Sequence, residues 1–259
     1  NGFDGDQKSL NYILETLDAK SYFIPGITAS ANLMVTALGE SAYFYTRSTS
    51  TNTVGNVGDK IDFAARGNKR IDVPLTSALQ IGAIIPRVNV ETVSPDAVGD
   101  KVIQETVERI NEHNRLGLVA LEASAEAKEY TNGSGAYDAL VDGISQFKVD
   151  NKKSGLRPTG VLVSSAFMGK LLKDERFRNA SPISDLAFQA GEVRMVSGAY
   201  IVEAVDLTSD FVVMNAEGFA APMNINNLFV VDGTTTGYPG SVLITGETGY
   251  GFKVVTKAE

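Results

Sequence analysis

Few residues in this chain could do chemistry. His113 is the single histidine among 259 residues, and there is no cysteine. A nucleophilic triad needs an imidazole held between a hydroxyl and a carboxylate. His113 lies within a helical apolar pattern and reads instead as a partly exposed structural residue. One histidine and no thiolate leave zinc without a ligand set. No D-x-[DN]-x-[DN]-G run offers a calcium loop. The phosphate-loop pattern fails at Gly169-Lys170-Leu171: Ser164 stands where the first glycine belongs, and Leu171 replaces the hydroxyl residue. Gly246, Gly249 and Gly251 have the wrong order for a dinucleotide fingerprint and read as turns of a β-hairpin. Glu108 and Glu112 share a helix face, where a solvated stripe is the usual role rather than general acid–base work. Asn132-Gly133-Ser134 and Asn179-Ala180-Ser181 match a glycosylation pattern by letter only. No catalytic, cofactor-binding or metal-binding residue is assigned.

Charge is more informative. The chain carries a net −8, with 43% apolar and 21% charged residues. Bulk attraction to nucleic acid or to an anionic membrane is not expected. Apolar runs such as Ile81-Gly82-Ala83-Ile84-Ile85 are too short to span a bilayer. Without cysteine, disulfides are excluded and an intracellular or redox-indifferent setting is natural. The first residues, Asn1-Gly2-Phe3-Asp4, lack the pattern of a signal peptide. A start without Met fits either a trimmed terminus or one made by cleavage. Against this background Lys60, Arg66, Lys69 and Arg70 face a single acid, Asp62, within eleven residues. The stretch from Asp96 to Glu129 is rich in acids. A basic hairpin and an acidic helix could be complementary surfaces of neighbouring copies. Ordinary solubility charge explains them equally well, because exposed pairs are individually weak.

The elements that would position these groups can be read from periodicity. Residues 1–21 are polar, with Leu10, Ile13, Leu14 and Leu17 on one helical stripe, and Pro25-Gly26 ends this arm. Tyr43 to Ser50 and Lys60 to Phe63 read as strands around a glycine-bearing tip. Arg70 to Thr92 is extended, with Pro74 and Pro86 at strand ends or edges. A two-stranded excursion over 43–75 has little core of its own and should lean on something, such as another subunit. Ser94-Pro95-Asp96 is a helix start, and the apolar spacing carries the helix towards Tyr130. Glu105 and Arg109 are placed for an i,i+4 pair. Gly117 implies close packing or a kink. Further helices are expected over Tyr137–Val149 and Ser165–Phe177. Further strands are expected at Gly160–Val163, Val193–Val202, Phe211–Met214, Leu228–Val231, Val242–Thr245 and Tyr250–Val255.

The order of these elements resembles the major capsid protein of tailed bacteriophages, the Hong Kong 97 type fold. The wording is most specific in Gly160-Val161-Leu162-Val163-Ser164-Ser165 with Leu171-Leu172-Lys173-Asp174. It continues in Glu192-Val193 through Ser197-Gly198-Ala199-Tyr200-Ile201-Val202 and in Phe211 to Gly218. The resemblance implies an α+β fold with an N-terminal arm at 1–30 and an extended β-hairpin loop at 40–78. It implies a peripheral domain at 79–135 and 223–259, with a long spine helix near 95–130, and an axial domain at 136–222. The implied function is a structural, non-enzymatic shell subunit, without cofactors, that self-assembles into hexamers and pentamers of an icosahedral head around double-stranded DNA. Its partners would be copies of itself and packaged DNA in weak non-specific contact, with portal, scaffold or decoration proteins as further candidates and no membrane. It would sit in the virion after assembly in the host bacterial cytoplasm. Lys60, Arg66, Lys69 and Arg70 become candidates for intersubunit contact. Some members crosslink a loop lysine to a neighbour's asparagine, and Lys60 and Lys69 lie in that region without an identifiable partner. A start at Asn1 would suit removal of a scaffolding segment. An encapsulin-like nanocompartment shell shares the fold and remains the alternative. A small-molecule enzyme is disfavoured by the missing motifs.

Overall fold

The computed structural model describes residues 21–24, 27–29, 41–46, 69–86, 97–124, 135–152, 155–180, 194–223 and 228–255. The expected helix of the arm, the tip and strand near Lys60, and the Ser94-Pro95 start signal lie outside them.

A four-stranded sheet is the centre of the fold. Its strands are β4 (Gly160–Val163), β5 (Arg194–Val196), β6 (Ala199–Glu203) and β7 (Phe211–Met214), in the order β5-β6-β4-β7. β4 runs parallel to β6 and antiparallel to β7. All four β4 residues are buried, which suits a strand covered on both faces. Alternation assigns the faces. Val161 and Val163 point into one cluster with Leu140, Ile144, Phe167, Leu171 and Phe177. Leu162 points into a second cluster with Leu118, Leu121, Met214 and Phe219.

The first cluster is covered by α2 (Ala136–Asp150), α3 (Ser165–Lys173) and α4 (Glu175–Ala180). The sequence pattern suggests one helix from Ser165 to Phe177, and the structure breaks it at Asp174. That residue is extended, and its Oδ1 accepts the Arg176 backbone N–H at 3.0 Å, so it ends one helix and caps the next. The β5–β6 turn places Ser197 at φ 51° and Gly198 at φ 87°. Two consecutive positive-φ residues give the turn whose twist matches the flanking strands.

The second cluster is covered by α1 (Ala97–Ser124), 28 residues long, about 42 Å at 1.5 Å per residue. It is one uninterrupted helix and does not break at Gly117. Its buried stripe is unexpectedly polar. Thr106, Arg109, His113 and Asn114 are buried together with Leu118 and Leu121. The expected Glu105–Arg109 pair is electrostatic and not a direct bridge: burial lowers the Arg109 pKa, and the Glu105 charge raises it against that burial. Glu105 meets Lys101 at 2.9 Å, one turn towards the N-terminus, while Arg109 points inward.

A three-stranded sheet in the order β3-β10-β9 packs beside α1. β3 (Ser77–Pro86) and β10 (Ser241–Tyr250) pair antiparallel over their full ten residues, and β9 (Leu228–Asp232) joins at Val242–Gly246. Gly246 and Gly249 are not hairpin turns, contrary to the sequence reading: they lie inside β10, opposite Ile81 and Ala78. A ten-residue partner strand outweighs their weak strand preference. Gly251 follows the strand, and a Cβ there would overlap the Pro74 carbonyl oxygen.

β1 (Ser41–Thr46) and β2 (Lys69–Pro74) form an antiparallel ladder of six residue pairs. Its inner face does have a core. Ala42, Phe44, Ile71 and Val73 are buried, and three of them pack against Ala220 of β8 (Phe219–Ala220). The roots of this excursion thus lean on their own chain. The short strand β11 (Lys253–Val254) pairs with β8 and completes that corner.

Candidate intersubunit contact site and the buried face of α1

The four basic candidates are unequally placed. Lys60 and Arg66 lie outside the described residues. Lys69 opens β2 opposite Thr46, and Arg70 sits opposite Tyr45. Arg70 is exposed. Its Nε donates to Asp72 Oδ1 at 2.8 Å, and its guanidinium lies 4.2 Å from the centre of the Tyr43 ring. The bond to Asp72 raises the guanidinium pKa. Strand geometry explains the grouping, since residues 70 and 72 share one face. Arg70 is thus held against its own strand rather than extended into solvent.

The acidic helix is partly committed inside the chain. Glu112 accepts from Arg115 Nη2 at 2.6 Å, which holds its carboxyl below the ordinary range. Glu108 accepts from Gln104 Nε2 at 2.9 Å. Glu122 takes the Thr208 and Ser209 backbone N–H groups at 3.1 and 2.8 Å, and the Thr208 hydroxyl at 2.8 Å. Burial raises its carboxyl pKa, but the bonds from Ser209 and Thr208 outweigh this and hold it low.

Ser21–Ile24 and Ile27–Ala29 sit where α1, the second cluster and β8 meet. The Tyr22 backbone N–H donates to Asn114 Oδ1 at 3.2 Å, and the Tyr22 hydroxyl accepts the Val205 N–H at 3.2 Å. The Phe23 ring packs edge-on against Phe219 at 5.4 Å and His113 at 5.5 Å. Room for it comes from Gly117: a Cβ there would overlap the Phe23 ring and approach Phe252 to 2.9 Å. Gly117 is a close-packing glycine, as one of the two sequence readings had it.

His113 is buried, with 2% of its surface exposed, and not partly exposed as the helical pattern suggested. Phe252 and Tyr250 complete its aromatic surroundings at 5.0 and 6.2 Å. Burial lowers its pKa to about 4, so it is neutral at pH 7. One turn earlier, Arg109 Nη1 donates to the buried Thr248 hydroxyl, while Nε and Nη2 find no hydrogen-bond partner among the described residues. Burial lowers its pKa as well. Among the described residues no group of three His, Asp or Glu side chains could hold a metal. None of their helices is long and apolar enough to cross a membrane. Sequence reasoning missed this polar stripe because Arg and His usually mark an exposed face. The one available signal was Gly117, a small residue inside a long helix.

A scan against protein-family models finds no match, and a search of curated proteins finds none. Solved structures do match. A chain of Mycobacterium phage Che8 superimposes with a TM-score of 0.58 at 16% identity, covering 91% of this chain and 88% of that one. A chain of the bacteriophage PhiM1 mature capsid gives 0.55 at 15%, covering 91% and 84%. A chain of the head of Helicobacter pylori bacteriophage KHP40 gives 0.55 at 11%, covering 92% and 86%. The chain therefore has the α+β fold of phage capsid proteins. Within that class it is the Hong Kong 97 type fold.

Proposed function

We propose that this chain is a major capsid subunit that assembles into hexamers and pentamers of an icosahedral phage head enclosing double-stranded DNA. The observation that carries this reading is the near end-to-end match with chains of assembled phage capsids and heads. A likeness confined to one module would not support it. In this reading the arm spans 1–30, the extended loop 40–78, the peripheral domain 79–135 and 223–259, and the axial domain 136–222. The basic residues Lys60, Arg66, Lys69 and Arg70 touch a neighbouring copy. The subunit acts by packing and not by catalysis, and it resides in the virion after assembly in the host cytoplasm. Packaged DNA makes weak contact, and portal, scaffold or decoration proteins are its further partners.

Fold does not fix cargo, so an encapsulin-like shell around protein remains the second reading. Negative-stain microscopy of the purified chain tests the shell: closed shells or capsomers are expected. A single small species under every assembly condition would overturn it. Nucleic acid or protein inside shells from the native source separates the two readings.

A further inference from the structure

We propose that a basic pocket beside the C-terminal end of α2 binds the phosphodiester backbone of nucleic acid. The pocket is a half-open surface concavity of about 620 Å³ between Lys148, Lys152, Arg157, Thr159 and the Ser197-Gly198 turn. Among the described residues no carboxylate lines it. Its three cations come from different places: the last turn of α2, the turn after it, and the loop leading to β4. All three are exposed, and none forms an ion pair among the described residues. Elsewhere exposed arginines do find carboxylates, as Arg70, Arg115 and Arg176 do. The three cations surround one concavity in a chain of net charge −8.

The backbone that carries them is fixed. Asn151 Nδ2 donates to the Phe147 carbonyl at 2.9 Å and closes α2, and the Gly155 N–H donates to the Asn151 carbonyl at 3.0 Å. The Asn215 Nδ2 group donates to the Arg157 carbonyl at 2.6 Å, and the Thr159 N–H donates to the Met214 carbonyl at 3.0 Å. These bonds anchor the backbone at Asn151, Gly155, Arg157 and Thr159 around the charged side chains. The helix dipole accounts for Lys148 alone; Arg157 is on a loop and gains nothing from it. A concave, acid-free pocket suits a slender anion better than a folded surface. Phosphodiesters present a charge at every nucleotide, so Lys point charges and a planar guanidinium can each take one. The proposal rests on the shell reading only for the source of the DNA.

The test uses the full chain and a short fluorescein-labelled DNA duplex at low salt, read by anisotropy. Lys148→Gln, Lys152→Gln and Arg157→Gln together should weaken binding and reduce the salt slope by about 2 to 3, at roughly 0.9 per phosphate engaged. Lys170→Gln with Lys173→Gln should leave both unchanged. On the wild-type chain, duplex should shield Lys148 and Lys152 from acetylation, a readout independent of any variant's folding. Unchanged affinity and slope in the triple variant would overturn the assignment. So would equal loss in the control double variant, or equally tight binding of poly-glutamate, which would point to an acidic protein partner. Microscopy keeps the readings apart: shells without this binding refute the pocket alone, and binding without shells refutes the shell reading alone.

Discussion

The Glu122 carboxylate near the end of α1 grips Thr208, taking its backbone N–H at 3.1 Å and its hydroxyl at 2.8 Å. The loop between β6 and β7 is thereby tied to α1, with Ala204 and Leu207 buried beneath it. Hydrogen bonds to a charged group contribute about 1.5–3 kcal/mol, and partial exposure puts this one at the low end. Glu122→Ala should lower unfolding stability by about 1–2 kcal/mol in urea titration. A Glu122→Gln/Thr208→Val cycle should show coupling. Additive single effects would refute the tie. The carboxyl pKa is depressed in the folded state, so its contribution is present above the unfolded value and is lost as pH falls through the folded one.

Gly117 and Phe23 make a packing pair. Alanine is favoured over glycine inside a helix by about 1 kcal/mol, so an exposed site would gain from the change. Here the Cβ would meet the Phe23 ring, and overpacking costs about 1–3 kcal/mol. Gly117→Ala should lower the melting temperature. In the Phe23→Ala background the same change should be neutral or stabilising. A rise in the wild-type background would refute the contact.

His113 gives a pH signature. As the single histidine, it gives an unambiguous proton resonance. That resonance should stay neutral down to about pH 4. The unfolded chain takes up the proton near pH 6.5. Stability should thus fall as pH drops from about 6.5 towards 4, by about 3 kcal/mol at 1.4 per pH unit. His113→Phe should remove most of this slope in acid-dependent urea melts. Titration near 6.5 in the folded chain would contradict the burial.

Arg109 makes the opposite prediction from its charge. Among the described residues two of its buried guanidinium nitrogens lack hydrogen-bond partners, and the Glu105 charge offsets the cost of burying the cation only in part. Arg109→Met preserves length and apolar contact, so urea titration should show unchanged or raised stability. A loss above about 2 kcal/mol would mean the charge is satisfied in the folded chain.

Much of the fold was legible from local patterns. Gly160–Val163 reads as a buried strand because four apolar residues between turn signals leave little else. The Ser197-Gly198 hairpin and α2 follow from turn chemistry and periodicity. What periodicity could not see was tertiary. β10 runs through Gly246 and Gly249 because β3 supplies a full-length partner. The Ser165–Phe177 helix breaks because Asp174 caps the Arg176 N–H, which the apolar stripe does not encode. The inward faces of Arg109 and His113 follow from Phe23, Phe252 and Thr248 closing over α1 from distant parts of the chain.

The proposed contact role of Arg66, Lys69 and Arg70 is tested by reversing their charge. Arg70 is exposed, and its pair with Asp72 is weak because solvent screens it. The β1–β2 ladder is held by Phe44, Ile71 and Val73 instead. Arg66→Glu, Lys69→Glu and Arg70→Glu together should leave the circular dichroism spectrum intact. A neighbour's acidic surface would now meet like charge, which opposes docking and slows encounter. Shells should fail to form by negative stain. Partial rescue at high salt is expected, because screening shortens the reach of exposed charges to about 3 Å at 1 M. Normal shells from the triple variant at low salt would show that these residues serve solubility and not assembly.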